Sequence, residues 1–283
     1  MGRVQILSAV IGVAIAGMVP TVASAVPAST WAGYIDLGLS GVFGSEWGNY
    51  FPTYGWDGSV LHGTGKAATE IAPGFTIQGD ASANYWSERA SYGDNWSALY
   101  DDFAAHASWH PSANTLIGGF ASFGGGDGSN YDTFGVEAQH WMGDTRLYGQ
   151  LGLVSEADSG DTSNIPYVEG VITHYLGPNV SLSGFAGYDH ATGNNGTAWA
   201  QNDFNWGARL EVKPSAAPLT VYVAYQGFGS GGAYSGNDTY NEAQQTLSFG
   251  VRVPLGGGAG TLKALDQAVG LSDMNPWYGE TPH

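Results

Sequence analysis

From Phe75 onward apolar and polar residues alternate one by one, in stretches long enough to cross a bilayer as tilted β-strands. Between 200 and 212 the even positions hold Ala200, Asn202, Phe204, Trp206, Ala208, Leu210 and Val212. The odd positions hold Gln201, Asp203, Asn205, Gly207, Arg209 and Glu211. Two later segments repeat the pattern. Leu219, Val221, Val223 and Tyr225 oppose Thr220, Tyr222, Ala224 and Gln226, and Leu247, Phe249, Val251, Val253 and Leu255 oppose Thr246, Ser248, Gly250 and Arg252. A period of two puts these sets on opposite faces of a strand. Read along the chain, the pattern predicts twelve strands, at 35–43, 59–71, 75–88, 101–110, 115–123, 131–142, 145–156, 165–176, 180–190, 199–213, 219–228 and 240–255. Ten or fourteen remain as alternatives, because 115–123 and 165–176 alternate poorly.

Two kinds of break separate the segments. Tight ones fall at Pro73-Gly74, 111–114, Gly143-Asp144, 177–179 and 214–218, and longer polar ones at 87–99, 124–130, 156–164, 191–198 and 229–239. Proline and glycine fix short turns, whereas Gly/Ser/Asn/Asp runs make looser connections. An even strand number brings both chain ends to the short-turn side. Past residue 25 there is no apolar stretch of helix length, so any membrane crossing falls to strands. Strands satisfy their backbone in hydrocarbon only when the sheet closes on itself. The expected fold is therefore all-β, an antiparallel transmembrane β-barrel over 26–255, with short turns at one end and longer loops at the other.

The ends of the chain read differently. Residues 1–25 carry Arg3, an apolar run through Ile6, Val10, Ile11, Val13, Ile15 and Val19, and then Ala23-Ser24-Ala25, the form of a secretory signal with a small-residue cleavage site. Residues 256–283 begin with a Gly-rich linker and continue as a tail in which 262–269 suits a short helix, either plugging the lumen or hanging free in the periplasm.

The 45 glycines, 13% aromatic and 12% charged residues suit a wall with small, polar inward groups and bulky outward ones. A soluble exported β-sandwich is the alternative, but its water-facing strands would carry many more charges. With no cysteine, disulfides and thiol chemistry are excluded. A net charge of −17 argues against nucleic acid as a partner. Tyr85, Tyr188 and Tyr225 fall on the apolar face near the long-loop ends, as an aromatic girdle would.

Residues 248–255, read as polar, any, Gly, two of any, apolar, any, apolar, resemble the terminal-strand signal of bacterial outer-membrane proteins, although a tail follows and the last positions are aliphatic. With the signal segment and the alternation, the chain resembles outer-membrane barrels of the small porin type across nearly its whole mature length. The resemblance implies residence in outer-membrane lipid, insertion by the outer-membrane assembly machinery, and passive diffusion of small solutes. It implies no cofactor.

Inward carboxylates outnumber inward bases. Asp80, Asp102, Glu137, Asp203 and Glu242 face Lys66, Arg146, Arg209 and Arg252, an imbalance that favours small cationic or neutral solutes if the lumen is open. The same charges arranged as ion pairs would close it. Ser82, Asp102 and His106 share the polar faces of consecutive strands, and pairing about the centre of the 87–99 break sets Ser82 beside His106, an arrangement that nucleophilic hydrolysis needs. Asp189 and His190 are adjacent and so point to opposite faces. His62, His140 and His174 stand singly, without metal-ligand spacing. The break at 44–57 carries Trp47, Tyr50, Phe51, Tyr54 and Trp56, which suit stacking on a sugar, a constriction, or packing over the rim.

Overall fold

A computed structural model describes residues 31–48, 54–90, 95–126, 129–158, 161–194, 198–215, 217–234, 239–256 and 260–269. The signal segment expected at 1–25 lies outside them. The strands are β1 (Ala32–Gly48), β2 (Tyr54–Ala72), β3 (Phe75–Ala90), β4 (Asn95–Ser112), β5 (Thr115–Gly126), β6 (Ser129–Met142), β7 (Thr145–Asp158), β8 (Asp161–Gly177), β9 (Val180–Asn194), β10 (Ala198–Val212), β11 (Thr220–Tyr234) and β12 (Thr239–Gly256). Each pairs antiparallel with its chain neighbours, and β12 pairs with β1, so the sheet is a closed twelve-stranded barrel. One helix, α1 (Leu262–Val269), follows it, at the residues where the sequence suits a helix.

All twelve strands lie where the alternation places them, but most run further. β4 begins at Asn95 rather than 101, and β11 continues to Tyr234 rather than 228. Polar Gly, Ser and Asn residues expected in the longer breaks thus continue the ladders. With a partner on both sides, a barrel strand loses nothing by pairing past the hydrocarbon, which needs only about 9–11 residues of it.

Burial follows parity. Leu37, Leu61, Ile77, Phe134, Leu151, Phe204, Val221 and Phe249 face outward and exposed, while Asp36, Ser40, Asn84, Thr173, Thr220 and Ser248 are buried inside. Tyr188 and Tyr225 project outward at the expected girdle. Asp189 lies opposite Asp203, whereas the outward His190 bonds Asn202, so the two neighbours do face apart.

The inner face is less uniformly polar than alternation suggests. In the half of the barrel away from the short turns, Val42, Trp56, Val60, Trp86, Ala98 and Tyr100 form one buried apolar cluster on β1–β4. Phe120, Tyr131, Val154, Ile165, Tyr167 and Ala191 form a second on β5–β9. Lumen rings lie flat along the wall over glycines of the next strand: Trp56 over Gly44, Phe120 over Gly135, Tyr167 over Gly152 and Phe185 over Gly207. Glycine here makes room for a ring beside the strand, which the ring then shields.

The longest such row crosses the closing seam. Tyr222 of β11, Gly250 of β12, Gly38 of β1 and His62 of β2 stand in register, and the Tyr222 hydroxyl reaches over both glycines to lie 2.7 Å from His62 Nε2. A Cβ on either glycine would collide with Tyr222. Gly250→Ala is expected to cost about 1–3 kcal/mol, since the ring must leave its place. A lower unfolding midpoint in urea, with Gly65→Ala as an unaffected comparison, would show it; Gly65 has open space at its Cβ position.

Candidate functional site

Of the nine charged residues expected to line the lumen, Asp80, Asp102, Arg146, Arg209 and Arg252 border its cavity, and Lys66, Glu137, Asp203 and Glu242 are buried. On the β3–β8 wall Asp80 and Glu137 belong to a chain of polar contacts. Gln78 Nε2 donates to Asp80 Oδ2 at 3.0 Å, and His106 sits between Asp80 (Nε2 to Oδ2, 3.4 Å) and Glu137 (Nδ1 to Oε1, 2.9 Å). Tyr148 Oη lies 3.0 Å from Glu137 Oε2 and 2.9 Å from Gln150 Oε1, and Gln150 donates onward to Glu169. The His106 ring stacks on Phe120.

The facing wall carries guanidiniums. Arg209 bonds Asp36 at 2.6 Å and Glu211 at 2.7 Å and lies 3.6 Å from the centre of the Tyr222 ring. Arg252 reaches Glu211 at 3.2 Å and Asp266 at 3.2 Å, and lies 4.1 Å from the centre of the Tyr34 ring. Arg146 bonds Thr173 and stacks near Trp141, and Lys66 is 5.7 Å from the Tyr34 ring centre and opposite Asp80 in register. Asp203 accepts from Gln201, and Glu242 pairs in register with Glu46 and Ser230. Between the walls lies a cavity of about 200 Å³.

Asp266 belongs to α1, which lies across the mouth on the short-turn side. Leu262 is wholly buried against Trp141 and Tyr175, and Leu265 packs on Ala32 and Tyr34. Positions 262, 265 and 266 share one helical face, so Asp266 is carried inward beside the leucines, where the Tyr175 hydroxyl donates to it at 2.5 Å. On the outer face Lys263 donates to Asp144 at 2.7 Å and to the Gly143 carbonyl at 3.0 Å, and Asn179 accepts from the Leu262 amide. The hydrogen bond from Lys263, and then its charge, hold the Asp144 carboxyl below its ordinary 3.8. Beside α1, against β2–β4, an opening of about 450 Å³ remains, lined by Thr69, Glu70, Thr76, His110, Ser112 and Gln267 among others.

Two local expectations change. The register pairs Ser82 with Asp102 and His106 with Gln78, because the β3–β4 ladder is centred near residue 92, two short of the position that would bring Ser82 to His106. Both His106 nitrogens face carboxylates instead. The 44–57 segment is not one loop: β1 runs to Gly48 and β2 resumes at Tyr54. Trp47 ends up half-exposed on β1, Trp56 inside the lumen cluster, and Tyr54 at the start of β2, while Tyr50 and Phe51 lie outside the described residues. Tyr34, Tyr148, Tyr175 and Asp266 were not among the expected site residues. Parity could have found Tyr148, which is on the inward side with Arg146 and Gln150, and the helical spacing of Leu262, Leu265 and Asp266 could have found the last.

No family model and no curated protein matches the sequence. Among solved structures, an outer-membrane channel from Pseudomonas putida F1 is similar with a TM-score of 0.57 at 12% identity, over 83% of this chain and 99% of that one. The beta domain of the Bordetella autotransporter BrkA follows at 0.49 and 12%, over 78% and 99%, and the KdgM porin at 0.40 and 14%, over 76% and 98%. At such identities the likeness is one of fold, that of the bacterial outer-membrane β-barrels.

Proposed function

We propose that this barrel is an outer-membrane channel for small solutes that prefers cations, with α1 crossing its periplasmic mouth. The observation that carries the cation preference is the cavity lining, where among the described residues six carboxylates, Asp36, Asp80, Asp102, Glu169, Glu211 and Asp266, stand with three guanidiniums, Arg146, Arg209 and Arg252. Low-dielectric walls focus the field of that surplus into the lumen. The outward apolar belt on all twelve strands supports residence in lipid, since a water-soluble chain rarely exposes so much. The likeness in fold to an outer-membrane channel supports a channel-like barrel in that membrane.

Planar-bilayer recording of the refolded protein under a KCl gradient tests the reading. Discrete steps with a cation-selective reversal potential are expected. A carboxylate near the ion path, at an effective dielectric of about 20 and screened by salt, retains on the order of 1 kcal/mol, so Asp80→Asn with Asp102→Asn should lower the cation-to-anion permeability ratio roughly 5-fold. An unchanged ratio would remove these residues from the selectivity argument. A closed structural barrel is the second reading, favoured by α1 across the mouth, and a folded, inserted, silent protein would establish it.

A further inference from the structure

Arg146 bonds Thr173, and Arg209 and Arg252 hold Asp36, Glu211 and Asp266. On β3 and β4, Asp80 Oδ2 is held by Gln78 and His106, with Lys66 opposite Asp80 in register, but further acceptors are left over. Asp80, Ser82 and Asn84 alternate along the inward face of β3, and Asp102 of β4 stands directly opposite Ser82, flanked diagonally by the other two. All four line the cavity. Asn84 is only 2% exposed, yet its Oδ1 has no hydrogen-bond partner, and neither do Asp80 Oδ1 and Asp102 Oδ2, all three buried. Leaving buried acceptors unpaired is costly, so a donor belongs there.

The geometry points to a binding site for a small N–H-bearing cation, an alkylammonium or guanidinium group, held between Asp80, Asn84 and Asp102. Three features set its chemistry. Two carboxylates and an amide oxygen call for positive charge with several donors. Cross-strand and diagonal neighbours stand about 5–8 Å apart, a spread that a group radiating N–H bonds spans, and among the described residues no three His or carboxylate groups converge as a metal would need. Arg209 and Arg252 across the cavity already hold carboxylates, so neither is set out for an anion. A simple ammonium therefore binds better than a zwitterion of the same size.

The inference deepens the cation reading of the same lumen but does not require conduction. Its test is titration calorimetry on the refolded full chain in detergent micelles, with ethylammonium, tetramethylammonium and glycine as probes. Ethylammonium is expected to bind saturably, and tetramethylammonium, with equal charge and no N–H, and glycine at least about 10-fold more weakly. Asp102→Asn should weaken ethylammonium about 10-fold or more, and Asn84→Ala less, following the strength of hydrogen bonds to charged groups. Asp132→Asn, the same charge change on an exposed outward residue, should leave it unchanged. Asn84→Ala keeps the test open if Asp102→Asn fails to fold. Equal affinity for tetramethylammonium, indifference to both lumen variants, or no saturable binding would each overturn the site. Binding by a barrel that is silent in bilayers would leave the site standing and sink the channel; conduction without binding would do the reverse.

Discussion

A chain carrying Lys263→Cys and Asp144→Cys is expected to conduct severalfold less once its two thiols are joined by a short bis-alkylating reagent than before. The native side chains meet at 2.7 Å, and with no other cysteine in the chain the reagent has only this pair to bridge. Before bridging, the ion pair is gone and α1 is held by fewer contacts; after it, α1 is fixed across the mouth. A helix about 10 Å across covers a large share of the end of a barrel this narrow. Equal conductance in the two states would show that α1 does not limit flow. The native pair itself should not respond to ordinary pH. Asp144 is depressed below 3.8, so the contact is fully present above that value and is lost only as pH falls through the lower, folded-state value. Conductance between pH 8 and 5 should thus show no step from this contact.

Arg252→Met is expected to be the most destabilising lumen substitution, by about 3 kcal/mol, because it strips the buried Asp266 of its cation and leaves Asp36 and Glu211 to share Arg209 alone. Arg252 ties Glu211 on β10 to Asp266 on α1 and stands 3.7 Å from Asp36 on β1. Methionine keeps much of the volume, so the loss reports charge rather than packing. Adding Asp266→Asn should return part of it, because two partners in one network do not act additively. Urea unfolding followed by tryptophan fluorescence measures both. Purely additive losses would mean that the two groups act independently.

How much of this was legible depended on the range of each interaction. Leu210 beside Arg209, or Phe249 beside Ser248, declares a strand with one wet and one oily face, and strand number follows from repeating that observation. Register is harder. Ser82 faces Asp102 rather than His106 because the ladder is centred two residues earlier than the polar break suggests, and polar residues pair or loop equally well outside the lipid. Trp56 is hard to place for the same reason: a tryptophan among glycines looks like a loop until the neighbouring strand supplies Gly44 for it to lie over. The helix at 262–269 was local and visible. Its docking through Asp266 and Leu265 was not, since the partners lie on strands far away in the chain.

The row from Tyr222 to His62 joins residues 160 positions apart, over the first and last strands of the chain. It forms only when β12 meets β1, a pairing whose long sequence separation makes it slow to form. A ring that spans the seam therefore serves as a latch for circular closure. It tells a finished barrel from an open curl of the same strands, and it makes sideways parting of the first and last strands the least available way for the wall to fail.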